Sequence, residues 1–160
     1  ATAVRNAKKA IWGKVDKGLQ CGIRLLKPKK KSYQVGDSLE AEILWRNASD
    51  RAIWSPMPRR LDLYQMVHDA DGNFKLVDFG ARFNIIPISH EFKPGEVRSL
   101  GTFTIELVAE GTPSPKSNAE PAHLTLAPGE YVLSGSGGVS APDGGRPCSG
   151  EIRFRVANAD

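Results

Sequence analysis

The stretch Ser38-Leu39-Glu40-Ala41-Glu42-Ile43-Leu44-Trp45-Arg46-Asn47 alternates apolar and polar side chains. Its apolar positions Leu39, Ala41, Ile43 and Trp45 fall on one side of an extended chain, and Leu44 is the exception on the other side. A period of two predicts a β-strand with one buried face. This is the clearest strand signal in the sequence.

Similar signals recur on both sides of this stretch. They predict strands over residues 18–26, 38–47, 61–68, 74–79, 85–92, 101–108, 130–134 and 150–156. Asp71-Gly72 is typical of a hairpin turn, while the Gly- and Pro-rich stretches 111–121 and 134–150 predict surface loops. Seven or eight short strands without a convincing helical period predict an all-β antiparallel sandwich or barrel, in which two sheets bury their apolar faces against each other.

The chain is the size of one domain. With 160 residues, 40% of them apolar and 25% charged, it has the composition of a folded globular protein rather than a disordered one. Residues 1–17 show little periodicity and predict an N-terminal arm that Trp12 anchors on the body. Residues 18–157 are predicted to form the sandwich.

The turn motifs resemble those of bacterial immunoglobulin-like domains. Tyr33-Gln34-Val35-Gly36-Asp37 leads into the strand that ends in Asn47-Ala48-Ser49, and Pro94-Gly95-Glu96 and Pro128-Gly129-Glu130 open later strands. The likeness covers roughly residues 19–156. This stretch is similar to the bacterial intracellular proteinase inhibitor family and to sandwich modules attached to bacterial membrane zinc peptidases. The opening of the latter modules looks like Trp12-Gly13 followed by residues 18–22. The resemblance implies an antiparallel immunoglobulin-like sandwich of seven to eight strands with long loops, and it carries over no catalytic residue.

The charge pattern gives no sign of a nucleic-acid site. The net charge is +4, and the basic residues fall in the N-terminal tail and two loops and not on one face, so we expect a solvated surface, with a weak attraction to anionic membranes or polyanions as the alternative. No apolar run approaches the ~20 residues that span a bilayer, and the polar start lacks the apolar segment of a signal peptide. We expect a mature secreted product or a piece of a longer chain, with an extracytoplasmic location.

The two cysteines, Cys21 and Cys148, do not have the close spacing of a zinc site. They are either a disulfide that joins the first strand to the approach to the last strand or two separate thiols, and the sequence leaves both open. In the chain-entropy model a disulfide closing so long a loop stabilises by ~4–5 kcal/mol.

No catalytic or metal-binding pattern is present in the sequence. The stretch Ser134-Gly135-Ser136-Gly137-Gly138 is not a nucleophile elbow, and the three histidines show no clustering with a cysteine. Residues 69–73 match only part of a calcium loop and are better explained as a hairpin turn. We therefore expect a protein that is not an enzyme and holds no cofactor or metal.

Two loop segments remain as candidate binding sites. The first, residues 54–60, supplies Trp54, Met57, Arg59 and Arg60, and the second, residues 79–84, supplies Phe79, Arg82 and Phe83. Aromatic and Arg side chains are favoured at binding hot spots, although we expect Trp54 to fold back on the core. The leading hypothesis is an interaction module for a protein partner. The alternatives are a proteinase inhibitor in which Arg59 or Arg60 is the bait residue, and a carbohydrate-binding module that uses exposed aromatic rings.

Overall fold

The fold is all-β. A computed structural model describes residues 9–56, 64–80, 89–117, 120–136 and 147–158, and these contain strands, turns and coil. This part of the chain includes no helix long and apolar enough to cross a membrane. The strands are β1 (Ile11–Trp12), β2 (Leu19–Leu25), β3 (Ser38–Asn47), β4 (Ile53–Pro56), β5 (Tyr64–Asp69), β6 (Phe74–Lys75), β7 (Ser89–Phe92), β8 (Val97–Leu107), β9 (Ala122–Leu124), β10 (Gly129–Ser136) and β11 (Ile152–Val156).

The strands form three sheets. The first has the order β1-β2-β3-β8-β9, the second has the order β11-β10-β5-β6, and β4 pairs with β7 in a small third sheet. Neighbouring strands are antiparallel except for β8 and β9, which are parallel. The prediction of an all-β protein built from antiparallel sheets is confirmed.

The first two sheets contribute to one hydrophobic core. The β3 side chains predicted to face inward are buried, as are the alternate side chains of β11 at Ile152, Phe154 and Val156. The core cluster joins them across the two sheets. Phe154 lies against Tyr131 of β10 in a stacked arrangement and against Tyr33 edge to face, with ring centroids 5.7 and 6.0 Å away. Alternation in the sequence therefore identifies the buried faces correctly.

The predicted N-terminal arm contains a strand. Ile11 and Trp12 form β1, which pairs with β2, and residues 1–8 lie outside the described part. The Trp12 ring lies directly over Gly22, where an added Cβ would come within 2.9 Å of it. Gly22 is opposite Leu44, which is fully buried although it projects from the polar side of β3. Trp12 thus lies on the outer face of this sheet, the side to which Leu44 also projects.

Several predicted boundaries need correction. The strand predicted over 101–108 begins four residues earlier, at Val97, and the predicted loop 134–150 starts later, because β10 continues to Ser136. The strand predicted over 74–79 ends at Lys75, because the chain then crosses to the first sheet and Asp78 pairs with His123 of β9. Residues 122–124, which follow the predicted loop 111–121, form β9 on the edge of that sheet. Residues 53–56 are a strand, β4, and not wholly a loop. Short edge strands carry too few residues for a period to be visible.

Candidate binding surface

Trp54 is presented to solvent by a paired strand. On β4, Ile53 faces Phe92 and Trp54 faces Glu91 of β7. Phe92 is fully buried and Ile53 packs against the core. Because successive side chains of a strand point to opposite sides, the inward position of Ile53 turns Trp54 outward, and Trp54 is 61% exposed. The expectation that Trp54 folds back on the core is wrong for this reason.

A buried asparagine holds this two-stranded sheet to the body. Asn47, the last residue of β3, is fully buried. Its Nδ2 donates to the backbone oxygens of Arg51 and Phe92, both at 2.8 Å. Its Oδ1 accepts from the backbone N–H and the hydroxyl of Ser49, at 2.9 and 2.6 Å. Asn47 therefore fixes the chain just before β4 and the end of β7 at once.

A turn and an ion pair complete the support. Gly95, with φ of 72°, donates from its N–H to the backbone oxygen of Asn47 at 2.9 Å, in the left-handed conformation that glycine adopts without strain. The guanidinium of Arg98 pairs with Glu96 and lies 5.6 Å from the Phe92 ring centroid. Partial burial opposes ionisation of Glu96, but hydrogen bonds from the Lys93 N–H and from Arg98 prevail and lower its pKa.

The other candidate residues divide into two groups. Phe79 is partly buried and packs against the core, so it fills space between the sheets. Met57, Arg59, Arg60, Arg82 and Phe83 lie outside the described residues. Pro56, which Met57 follows, is the last residue of β4 and pairs with Ser89, so the first candidate segment is continuous in the chain with the β4–β7 sheet. Of the predicted site residues, Trp54 is the one that the structure places on an exposed surface.

One Ser–Asp–His group lies between the edges of the two larger sheets. Ser114 Oγ donates to Asp78 Oδ2 at 2.5 Å, and the Gly80 N–H donates to Asp78 Oδ1 at 2.9 Å. These bonds, aided by the nearby His123, lower the pKa of Asp78. However, Nδ1 of His123 lies 3.1 Å from the backbone oxygen of Pro113, and the serine donates to the acid instead of to the imidazole. A catalytic triad needs the opposite arrangement, with the serine bonded to the histidine, so this group fastens the loop after β8 to residues 78–80.

The structure holds the two cysteines as thiols, and the disulfide stays one of the two alternatives that the sequence leaves open. Cys21 is buried and Cys148 is exposed. Burial, and to a lesser extent the charge of Cys148, raises the pKa of the Cys21 thiol to about 12. Because the thiolate is the reactive form, Cys21 is an inert thiol at neutral pH.

Residues 69–73 form a hairpin turn, as predicted. Asp69 Oδ1 accepts hydrogen bonds from the N–H groups of Asp71 and Asn73 at 3.0 and 2.9 Å. The Asp69 carboxylate therefore stabilises the turn that joins β5 to β6. Within the described ranges, no three His, Cys, Asp or Glu side chains are grouped to hold a metal ion.

Comparisons with known proteins give no family. No protein-family model matches the sequence, and no curated protein does. Among solved structures, a β-glucosidase from Erythrobacter marinus is 17% identical with a TM-score of 0.40, over 87% of this chain and 16% of that one. A β-glucosidase involved in saponin metabolism from intestinal bacteria is 18% identical with a TM-score of 0.40, over 87% and 16%. A β-glucosidase from Listeria innocua is 14% identical with a TM-score of 0.35, over 88% and 16%. This chain thus spans 16% of the length of each of these enzymes, and TM-scores this low carry no argument about its activity.

Proposed function

We propose that the domain is an immunoglobulin-like sandwich. The strand orders β2-β3-β8 and β11-β10-β5-β6 support this, since they match a constant-type ABE sheet and a GFC sheet with one added strand. The Tyr131 hydroxyl donates to the backbone oxygen of Ala127 at 2.6 Å, which resembles the tyrosine corner of such domains. The paired cysteines of antibody domains are missing from these strands, so the proposal rests on strand order and this corner.

The function that the surface supports best is that of a non-enzymatic interaction module. The observation behind this proposal is Trp54, a large aromatic side chain that is 61% exposed on β4, and Asn47 holds the start of β4 and the end of β7. A rigid aromatic side chain loses little conformational entropy on binding, and Trp is enriched at the hot spots of protein interfaces. The exposed ring therefore acts as an anchor for a protein partner. We place this module in an extracytoplasmic setting, as the resemblance of its turn motifs implies.

The alternatives use the same surface in other ways. Trp12 is covered on one side by the Arg46 guanidinium at 4.1 Å and Trp45 is fully buried, so of the three Trp rings Trp54 is the one most open to a sugar. A proteinase inhibitor would use residues 57–60, next to β4. These two functions predict binding of an oligosaccharide or inhibition of a protease, and both are measurable with the same protein.

The test compares capture by the intact protein and by Trp54→Ala. Proteins crosslinked to the purified chain in extracts of its source are identified by mass spectrometry, and Phe74→Ala serves as the control because Phe74 is 72% exposed on a different sheet. A partner retained by the wild type and by Phe74→Ala but lost with Trp54→Ala supports the proposal. Equal capture by all three proteins, or turnover of a substrate by the purified chain, would overturn it.

A further inference from the structure

A basic groove lies along the outer edge of β11, away from Trp54. It has a volume of about 470 Å³, within the range of ~300–1,000 Å³ typical of ligand sites. Its apolar lining has Ile11, which is 44% exposed, and the half-buried Leu25 at the surface, above the buried side chains of Ile23 and Ile152. Five cationic side chains also line it, namely Lys9, Arg24, Lys27, Lys29 and Arg153. We call it the β11 groove.

Among the residues that the structure describes, none pairs with the part of the β11 edge that lies inside this groove. On that side of the strand, Tyr33 donates to the Arg155 oxygen at 2.8 Å and accepts from the Ala157 N–H at 2.9 Å. The backbone groups of Arg155 therefore point away from β10. Because these directions alternate along an antiparallel strand, those of Arg153, two residues earlier, point the same way. At the other end, the Gly150 N–H bonds the Ile11 oxygen at 3.1 Å. Between the hydrogen bonds to Tyr33 and the one to Ile11, no described strand pairs with Arg153 on the side away from β10.

The positive charges that line the groove favour an acidic strand over a neutral or basic one. Arg24 is paired with Glu42 at 3.0 Å and Lys27 with Glu40 at 3.0 Å, both on β3. Against Lys9, Lys29 and Arg153, the groove lining itself offers a single carboxylate, Glu151. Lysine side chains beside an open edge discourage pairing with neutral or basic strands. An acidic strand instead gains from the same charges.

We propose that the β11 groove binds an extended acidic peptide segment, which adds to the edge of β11 as a further strand. The Arg153 N–H and C=O supply two backbone hydrogen bonds, alternate apolar side chains of the peptide cover the exposed parts of Ile11 and Leu25, and its carboxylates face Lys9 and Lys29. Strand addition of this kind takes affinity from backbone bonds and selectivity from side chains. This surface is separate from Trp54, so the inference stands independently of the proposed function.

The experiment uses a fluorescent peptide of alternating Glu and Val residues and the whole chain, with binding followed by fluorescence anisotropy. We expect saturable binding that weakens with added salt, at least tenfold weaker binding to Arg153→Glu and to Lys29→Glu, and unchanged binding to Lys116→Glu, an exposed cation elsewhere, and to Trp54→Ala. Lys29 lies in an exposed loop, so Lys29→Glu tests the groove even if a change in β11 impairs folding.

The backbone bonds are tested with the same peptide N-methylated at alternate residues, which keeps the charges but removes N–H donors. Loss of binding with the N-methylated peptide supports strand addition. Equal binding of both peptides would overturn the proposal. Displacement of the peptide by duplex DNA or anionic vesicles, with no effect of N-methylation, would also overturn it and would indicate a surface that binds polyanions nonspecifically. Absence of binding by the wild type would also overturn it.

Discussion

Asn47 Nδ2 donates a hydrogen bond to the backbone oxygen of Phe92 at 2.8 Å, across 45 residues of chain and inside the protein. The same amide reaches Arg51 just before β4. One side chain thus couples the end of a central strand to both strands of the sheet that carries Trp54. The small sheet owes its position to this amide as well as to the packing of Ile53 and Phe92.

Replacement of this asparagine is the first prediction. Asn47→Ala removes the amide that donates to the backbone oxygens of Arg51 and Phe92 and the acceptor of the Ser49 N–H, so we expect the free energy of unfolding to fall by about 2–4 kcal/mol. Chemical denaturation measures the change. Asn158→Ala, at an exposed position, is the control and should stay within about 0.5 kcal/mol of the wild type. An Asn47→Ala protein as stable as the control would show that Asn47 does not hold the β4–β7 sheet to the body.

The contact between Trp12 and Gly22 gives the second prediction. In Gly22→Ala the new methyl group meets the Trp12 ring at 2.9 Å, and overpacking of this kind costs about 1–3 kcal/mol. In a Trp12→Ala background the same change should be neutral or stabilising, since Ala suits a strand interior better than Gly. A double-mutant cycle by denaturation measures the coupling. Additive effects would mean that Trp12 does not lie over Gly22.

Acid titration tests the turn before β3. Asp37 accepts a hydrogen bond from Lys30 and another from the Gln34 N–H, and the bond from Lys30 is the main cause of its lowered pKa. A pKa lowered by folding stabilises the protein above the unfolded value, about 3.9, and this stability is lost as the pH falls through the folded value. Asp37→Asn should therefore be less stable than the wild type at pH 7, by about 1 kcal/mol or less for so exposed a pair. The difference should vanish towards pH 2, and a difference that persists there would contradict this origin.

Thiol chemistry provides a fourth prediction. With a buried Cys21 whose pKa is about 12 and an exposed Cys148, one thiol of the reduced protein should react rapidly with an aromatic disulfide reagent at pH 8 and one should react only on unfolding. Cys148→Ser should abolish the rapid phase, whereas Cys21→Ser should leave it. Two rapid thiols in the wild type would place Cys21 at the surface. A mass two units lower for protein isolated without reductant would instead indicate the Cys21–Cys148 disulfide that the sequence leaves open.

Side-chain alternation predicts the long strands well because a strand with one buried face needs an apolar residue at every second position along its length. The bounds of Ser38–Asn47 and the inward residues of β11 follow from it directly. It cannot find β1, β4 or β9, which have two to four residues and owe their pairing to partners distant in sequence. The exposure of Trp54 escaped prediction for the same reason, since it depends on Ile53 pairing with Phe92. The β11 groove needs strand order as well, because Lys29 and Arg153 are far apart in the chain.

The proposed binding surface requires the Trp54 ring to be exposed and the Trp45 ring to be buried, and NMR of the protein labelled with 5-fluorotryptophan tests this directly. Each of the three fluorine signals is assigned by a Trp→Phe variant, and a soluble gadolinium chelate is then added. We predict strong broadening of the Trp54 signal, weaker broadening for Trp12 and none for Trp45, in keeping with exposures of 61% for Trp54 and 0% for Trp45. A Trp54 signal as protected as that of Trp45 would contradict the proposed binding surface.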